Sequence, residues 1–508
     1  MESSLPPNNS NEQLMENEDD RFVPRRTQEN THGEKSKFRS LSRKEWLTVG
    51  VLCYVNLINY MDRYTMAGIM PSIKDHFHFG DDIAGLLQTV FVISYMIFAP
   101  LFGYLGDRYN RKAIMAFGVC LWSLTTLLGS FMNTTVSFVL LRAFVGIGEA
   151  SYSTIAPTII SDLFVKDLRA KVLALFYFAI PVGSGMGYIV GSEMARVTNS
   201  WQWALRVTPI MGCIAVFCII FVVHEPERGE SEGGSHTKAT SWSQDLRLLI
   251  RNRSFMYSTL GFMSVSFVAG ALSWWGPDYI YRGVKLQPGK ENTSLHELSF
   301  IFGVLTMISG LLGVPLGSYL STKLRKKFQR IDPLICGFGL IFSTALFTAA
   351  MFTANYNFIA FFTLAFLGQL AINLNWAVVA DILLYVVTPR RRSTAEAFQI
   401  LISHMFGDAG SPYLVGVVAD AIAKKFRSGE PYINQTVSIH EDEISYYSLQ
   451  YSLFMTCFVE FMGGVFFLLT SFYIIQDRML AEKEVKGDAN ERLTNFFADE
   501  PVQQPSMI

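Results

Sequence analysis

Four charged residues stand inside apolar runs of this chain. Asp62 and Arg63 lie in a run near the amino terminus, and Arg142 and Glu149 lie in a later one. At the centre of a bilayer each such charge costs at least ~2.5 to 3.5 kcal/mol unless it is paired or hydrated, so none of the four is expected to face lipid. Being adjacent, Asp62 and Arg63 point about 100° apart on a helix and reach for different partners. Arg142 and Glu149 are two turns apart on one helical face, expected to look into a cavity. A cation and a carboxylate so placed can bind a zwitterionic or phosphate group and exchange a proton. Protonating Glu149 would free Arg142 or Arg63 for the phosphate. The plainer alternative is a fixed set of interhelical ion pairs that only holds the helices together. His404, in another apolar run, is able to titrate between lysosomal and cytosolic pH, or else is a packed hydrogen-bonder.

The elements that must position these residues follow from composition. The chain has 508 residues, 50% of them apolar, with 41 Phe and only 17% charged residues, which is the balance of a polytopic membrane protein. Its net charge of −1 gives no basic surface for nucleic acid, so no nucleic-acid partner is expected. The six cysteines show neither CxxC nor Cys/His ligand spacing, so no metal is expected. Gly183-Ser-Gly185 lacks the spacing of a nucleophile elbow, and no phosphate-cradling loop with a Lys is present, so neither an enzyme nor a nucleotide-driven pump is indicated.

Apolar runs of spanning length predict twelve helices, near 46–72, 83–104, 113–132, 136–163, 171–195, 203–223, 254–281, 298–321, 332–353, 357–387, 394–423 and 446–476. Residues 1–44 and 478–508 read as disordered cytoplasmic tails. Residues 225–253 read as a cytoplasmic linker between an N-terminal bundle, 45–224, and a C-terminal bundle, 254–477. Within that linker, Trp242 to Arg251 has the apolar spacing of a short surface helix. Gly183, Gly187 and Gly191 recur every four residues in the fifth run, a strip that predicts close helix packing.

Basic residues concentrate in alternate loops, among them Arg108, Arg111 and Lys112, Lys323 to Arg330 and Arg390 to Arg392. The bias predicts that both termini are cytosolic. The sequons at Asn133, Asn292 and Asn434 then fall on the opposite side, with Asn292 and Asn434 the better candidates for glycosylation, whereas Asn252 falls inside.

The halves repeat. Gly317-Ser-Tyr-Leu-Ser-Thr-Lys-Leu-Arg-Lys326 aligns with Gly103-Tyr-Leu-Gly-Asp-Arg-Tyr-Asn-Arg-Lys112, with Ser321 in place of Asp107. Gly148-Glu149 with Asp162 corresponds to Gly368-Gln369 with Asp381, so the fold does not require the Glu149 carboxylate. Duplicated six-helix bundles predict a transporter with its site between the halves.

The loop at Gly103 and the run Leu141-Arg-Ala-Phe-Val-Gly-Ile-Gly148 resemble the signature motifs of the major facilitator superfamily. The chain more closely resembles the Spinster family in Asn59-Tyr-Met-Asp-Arg63, Gly148-Glu-Ala-Ser-Tyr-Ser-Thr-Ile-Ala-Pro157, Phe176 to Gly185, Ala380-Asp-Ile-Leu-Leu-Tyr-Val-Val387 and Gly407-Asp-Ala-Gly-Ser-Pro-Tyr-Leu414. The resemblance implies an all-α fold of two pseudo-symmetric six-helix bundles and a lipid cargo. That cargo is lysophospholipid leaving lysosomes in one branch and sphingosine-1-phosphate leaving cells in another. Ser393 to Ile400 is more similar to the lysosomal branch. The expected activity is therefore proton-coupled, alternating-access export of a lysophospholipid by a monomeric protein of the lysosomal or late endosomal membrane. The proton is the coupling ion and no cofactor is expected. In that reading Asp62, Arg63, Arg142, Glu149 and His404 bind substrate or proton. Gly103, Asp107, Arg108 and Arg111 form a cytoplasmic gate, with Asp107 meeting the amino end of the eleventh helix near Ser393. The gate is expected to be one-sided, because the second copy lacks the acid. Export of a sphingolipid at the plasma membrane, carriage of an organic anion or sugar phosphate, and a non-transporting receptor or scaffold remain alternatives.

Overall fold

The computed structural model describes residues 43–164, 166–226, 242–388, 391–428 and 437–498. Six passes form the first bundle: α1 (Arg43–Gly68), followed by the short α2 (Met70–Phe77), then α3 (Asp81–Arg108), α4 (Arg111–Gly129), α5 (Thr135–Leu163), α6 (Lys166–Thr198) and α7 (Trp201–Phe221). The expected linker helix is present as α8 (Trp242–Arg251), and the first part of that linker lies outside the described residues. Six more passes follow: α9 (Arg253–Lys285), α10 (Leu295–Arg325), α11 (Ile331–Thr353), α12 (Phe358–Asn373) with α13 (Asn375–Val386), α14 (Arg392–Ser403) with α15 (Ser411–Ser428), and α16 (Val437–Ala498).

Side-chain caps fix where several of these helices begin. Asn110, Asn252 and Asn357 accept the backbone N–H three residues on from the starts of α4, α9 and α12, at 2.9, 2.9 and 3.1 Å. Asn252 also donates to the Val386 carbonyl at 2.8 Å, so its side chain is fully engaged.

Ten helices among the described residues are long and apolar enough to cross a membrane. The two other passes are the ones that carry unusual polarity. α1 contains Asn56, Asn59, Asp62 and Arg63, and the eleventh pass is interrupted. Where one helix was expected over 394–423, a π-helical turn, His404–Asp408, separates α14 from α15, and Gly407 takes non-helical angles within it, φ −96° and ψ −105°. The tenth pass, expected to run unbroken over 357–387, breaks at Leu374.

The last helix also departs from expectation. It does not end at 476 but continues to Ala498, so much of the 478–508 tail is helical, while residues 499–508, like the 1–42 segment, lie outside the described residues. The sequence beyond 476 is too charged for lipid, yet it supports a helix through its own polar contacts. Asp477 accepts the Ser254 N–H at 2.8 Å, Arg478 pairs with Glu482 at 3.0 Å, and Arg391 pairs with Glu484 at 2.8 Å.

The glycine strip packs α6 onto α1. A Cβ at Gly183 or Gly187 would stand 2.7 Å from the Leu57 carbonyl oxygen or 2.6 Å from that of Met61, and Thr65 donates to the Gly187 carbonyl at 3.3 Å. α6 meets the second bundle the same way. A Cβ at Gly185 would be 2.6 Å from the Gly303 carbonyl oxygen on α10, and the reverse distance is also 2.6 Å. One apolar core lies in the first bundle around Phe91, Trp122 and Tyr152, and another in the second around Phe255, Leu340 and Phe467. A third, including Ala84, Tyr188, Trp274, Phe302 and Val415, joins the two bundles.

Candidate functional site

α1 presents its two adjacent charges to different neighbours. Asp62, 1% exposed, points between α4 and α7, where its carboxylate accepts from Thr126 at 3.2 Å and from the Thr208 hydroxyl. Arg63 points to α5, and its Nη2 donates to Glu149 Oε2 at 3.0 Å. Two turns earlier on α5, Arg142 Nη1 lies 3.9 Å from Asp62 Oδ2. The two pairs are tied together by Phe91 of α3, whose ring lies 4.7 Å from the Arg63 guanidinium and 4.5 Å from that of Arg142.

Charge in this cluster balances, but hydrogen bonding does not. Arg63 Nε, Arg142 Nε and Nη2, and Glu149 Oε1 are all buried without a hydrogen-bond partner. Unmade hydrogen bonds on buried charged groups are costly, about 1 to 3 kcal/mol or more each, and such groups recur where a site is built for something that supplies the missing partner. Three unmatched guanidinium N–H groups constitute a donor set for an anion.

His404 belongs to the other bundle. Its Nδ1 lies 2.8 and 3.0 Å from the two oxygens of Asp408, a pairing made across the π-helical turn. The ring packs edge-on against Tyr95 of α3 at 6.1 Å, and Tyr95 in turn lies 5.8 Å from the Arg63 guanidinium. The structure thus brings Asp62, Arg63, Arg142 and Glu149 together and connects His404 to them through Tyr95. Phe91, Tyr95, Thr126, Thr208 and Asp408 were not singled out by the sequence. Of these only Asp408 carried a signal, as a carboxylate one turn from His404.

The basic loop residues take several roles. No heavy atom approaches the position of a Gly103 Cβ, and the Arg108 guanidinium lies 4.2 Å from the Tyr104 ring. Arg111 is buried: Nη1 pairs with Asp162 at 2.5 Å, Nη2 donates to the Pro226 carbonyl at 2.9 Å, and its backbone N–H donates to Glu225 at 3.0 Å. The side chains of Asp107 and Ser393, and with them the contact expected between the two, lie outside the described residues. The second copy of the loop holds its cation within its own bundle. Arg325, the counterpart of Arg111, pairs with Asp332 at 2.7 Å and Asp381 at 2.9 Å, and Ser321 donates to Asp332 at 2.7 Å. In both copies the partners come from outside the loop, Asp162 and Glu225 in the first and Asp332 and Asp381 in the second.

At the opposite end the bundles are joined. Arg282 of α9 donates to both oxygens of Asp81 on α3, at 2.7 and 3.0 Å, and to Asp278 one turn back at 2.6 and 3.0 Å. Lys74 pairs with Asp81 and lies 3.7 Å from Asp278. The Asp82 N–H donates to Asp420 at 2.8 Å, Trp274 Nε1 to the Ala84 carbonyl at 3.0 Å, and Ser299 to the Gly68 carbonyl at 2.9 Å. Nearer the basic loops, by contrast, Tyr177 of α6 faces Glu396 of α14 and stays half exposed. The molecule is closed at the Asp81 end.

Two six-pass bundles related by an internal repeat, joined at one end and holding buried charge between their helices, define a membrane transporter. A family model described as Major Facilitator Superfamily matches residues 52–412. "Protein spinster" of Drosophila melanogaster is 56% identical over 484 residues, spanning 88% of this chain and 80% of that protein. "Protein spinster homolog 1" of Homo sapiens is 47% identical over 457 residues, 88% of this chain and 84% of that one. Among solved structures, a bacterial homolog to the human lysosomal transporter Spinster, in an inward-facing and unoccupied conformation, superposes with a TM-score of 0.76 at 21% identity, over 86% of this chain and 99% of that one. A D-xylose-proton symporter superposes with a TM-score of 0.61 at 16% identity, over 82% and 97%. The chain belongs to the Spinster family of major facilitator superfamily transporters, and it is a transporter rather than an enzyme.

Proposed function

We propose that this transporter moves lysophospholipids, such as lysophosphatidylcholine and lysophosphatidylethanolamine, out of the lysosome by proton-coupled alternating access. One observation carries the reading: the Arg63–Glu149 ion pair at 3.0 Å, beside Arg142, leaves buried guanidinium N–H groups unmatched. A phosphodiester headgroup supplies acceptors for those N–H groups, and the rings of Phe91, Tyr60 and Tyr95 around Arg63 offer it apolar neighbours. A proton arriving on Glu149 neutralises the partner of Arg63 and releases that guanidinium for the phosphate. Asp62, held by two hydroxyls and beside Arg142, is the second proton acceptor, and His404 with Asp408 is a third titratable pair across the interface.

With both termini in the cytosol, the closed Asp81 end faces the lumen and the conformation is inward-facing. The exposed Asn292 then carries a luminal glycan; Asn434 lies outside the described residues. The protein acts as a monomer in the lysosomal or late endosomal membrane.

Uptake of labelled lysophosphatidylcholine into proteoliposomes under an inward proton gradient tests the reading. Uptake should depend on the gradient, fall at least tenfold in Glu149→Gln and Asp62→Asn, and be competed less well as the acyl chain of a competitor is shortened. Unchanged uptake and pH dependence in both variants exclude the coupling. Equal competition by a short-chain phosphate ester indicates a soluble organic anion as cargo instead.

A further inference from the structure

Glu460 lies in the apolar middle of α16, is 1% exposed, and belongs to none of the clusters above. Both carboxylate oxygens are buried without a hydrogen-bond partner, and no Arg, Lys or His among the described residues pairs with it. An ionised carboxylate so placed bears a desolvation cost that no cation among the described residues offsets.

The hydroxyls nearest to it show which form the site accepts. Ser343 and Thr344 of α11 face the carboxyl group. Ser343 already donates its proton to the Gly368 carbonyl at 3.0 Å, and Thr344 donates to the Leu340 carbonyl at 2.9 Å. A hydroxyl whose proton is engaged can only accept, and an ionised carboxylate can only accept as well. Protonated Glu460 has one O–H to give, and the two hydroxyl oxygens are there to receive it. The remaining neighbours are uncharged. α9 brings Ser264 against Gly463, and α16 contributes Thr456 and Cys457, whose thiol is a titratable neighbour.

The first bundle presents the mirror case at the corresponding interface. By the internal repeat α11 corresponds to α4 and α16 to α7. Asp62 projects between α4 and α7, where Thr126 and Thr208 donate to it and Arg142 stands nearby, an environment for a charged carboxylate. Each bundle therefore buries one carboxyl group at its α4/α7-type interface, with a guanidinium beside it in the first and none among the described residues in the second.

We propose that Glu460 is a further proton-binding site of the transporter, the buried carboxyl group at the second bundle's version of the interface that holds Asp62, and that it keeps its proton in the conformation closed at the Asp81 end. The proposal is independent of the cargo. Infrared difference spectroscopy of the full-length protein in lipid at neutral pH, without substrate, tests it. The wild type minus Glu460→Gln spectrum should contain the carbonyl-stretch band of a protonated carboxylic acid. Ser343→Ala and Thr344→Val, which keep the acid but remove an acceptor, should shift that band without abolishing it. A difference spectrum holding only carboxylate bands overturns the proposal. Should Glu460→Gln not fold, an unshifted protonated-acid region in both hydroxyl variants overturns it equally. Because no lysolipid is involved, the band stands or falls separately from the uptake experiments.

Discussion

Arg282 and Asp81 connect the two bundles by a two-pronged ion pair, 2.7 and 3.0 Å, in which both side chains are buried. Removing one member of a buried pair leaves a charge without compensation, typically a cost of about 3 to 5 kcal/mol to the state that contains it. Here that state is the conformer closed at the Asp81 end. Arg282→Ala should therefore shift the population toward the conformer open at that end, while Arg282→Lys, which keeps a cation between Asp81 and Asp278, should move it part of the way back. Distances between spin labels across each mouth read the shift; unchanged distributions in Arg282→Ala would show that the pair does not hold this end shut.

Arg63 and Glu149 make the same argument inside the site. Arg63→Ala leaves Glu149 alone in an apolar surrounding, so the melting temperature should fall by several degrees. The exchanged pair Arg63→Glu with Glu149→Arg should recover most of that stability and none of the transport, because the guanidinium then approaches from α5 rather than α1. Recovery of both would reduce the pair to a structural strut.

Arg111 and Arg325 occupy equivalent places but differ in burial: the side chain of Arg111 is 4% exposed, that of Arg325 29%. The acids left behind set the cost: Asp332 is fully buried, whereas Asp162 and Glu225 are about one-fifth exposed, so Arg325→Ala should cost about 3 to 5 kcal/mol and Arg111→Ala about 1.5 to 3. Thermal unfolding of the two variants side by side gives the order. Equal losses would contradict the role assigned to burial.

Glycines in the same motif set should separate cleanly. A Cβ at Gly187 would be 2.6 Å from the Met61 carbonyl oxygen, whereas no heavy atom comes within 4 Å of one at Gly103. Gly187→Ala must displace α6 from α1 beside Asp62, costing about 1 to 3 kcal/mol and reducing uptake. Gly103→Ala lies within α3 and should be neutral or stabilising by about 0.5 to 1 kcal/mol. Lost uptake in Gly103→Ala without lost stability would restore that glycine to the gate.

How far the sequence discloses these relations depends on what kind of contact each one is. Apolar run length located the passes, and the intramembrane charges Asp62, Arg63, Arg142 and Glu149 were visible because charge inside an apolar run is conspicuous. Their pairing was not, since a one-dimensional pattern orients a side chain on its own helix and is silent on the helix opposite. The interruption at Gly407 was missed although Gly407-Asp-Ala-Gly-Ser-Pro412 gathers polar residues and helix breakers, because long apolar runs on both sides read as one pass. Lys74, Asp81, Asp278 and Arg282 read as charges at helix ends, and only the packing of α3 on α9 turns them into a junction. Glu460 was passed over inside a run that otherwise reads as lipid-compatible, because nothing local marks a carboxyl group as unpartnered.

The close approach of Gly185 and Gly303 has a mechanical meaning. Backbone meets backbone there, with no side chain between to compress or change rotamer. Such a contact is a fulcrum: α6 and α10 can roll on it but cannot be pressed closer. Pivoting of the bundles about that point would open the Arg282–Asp81 clasp as the opposite mouth narrows, a reciprocity that needs no cargo.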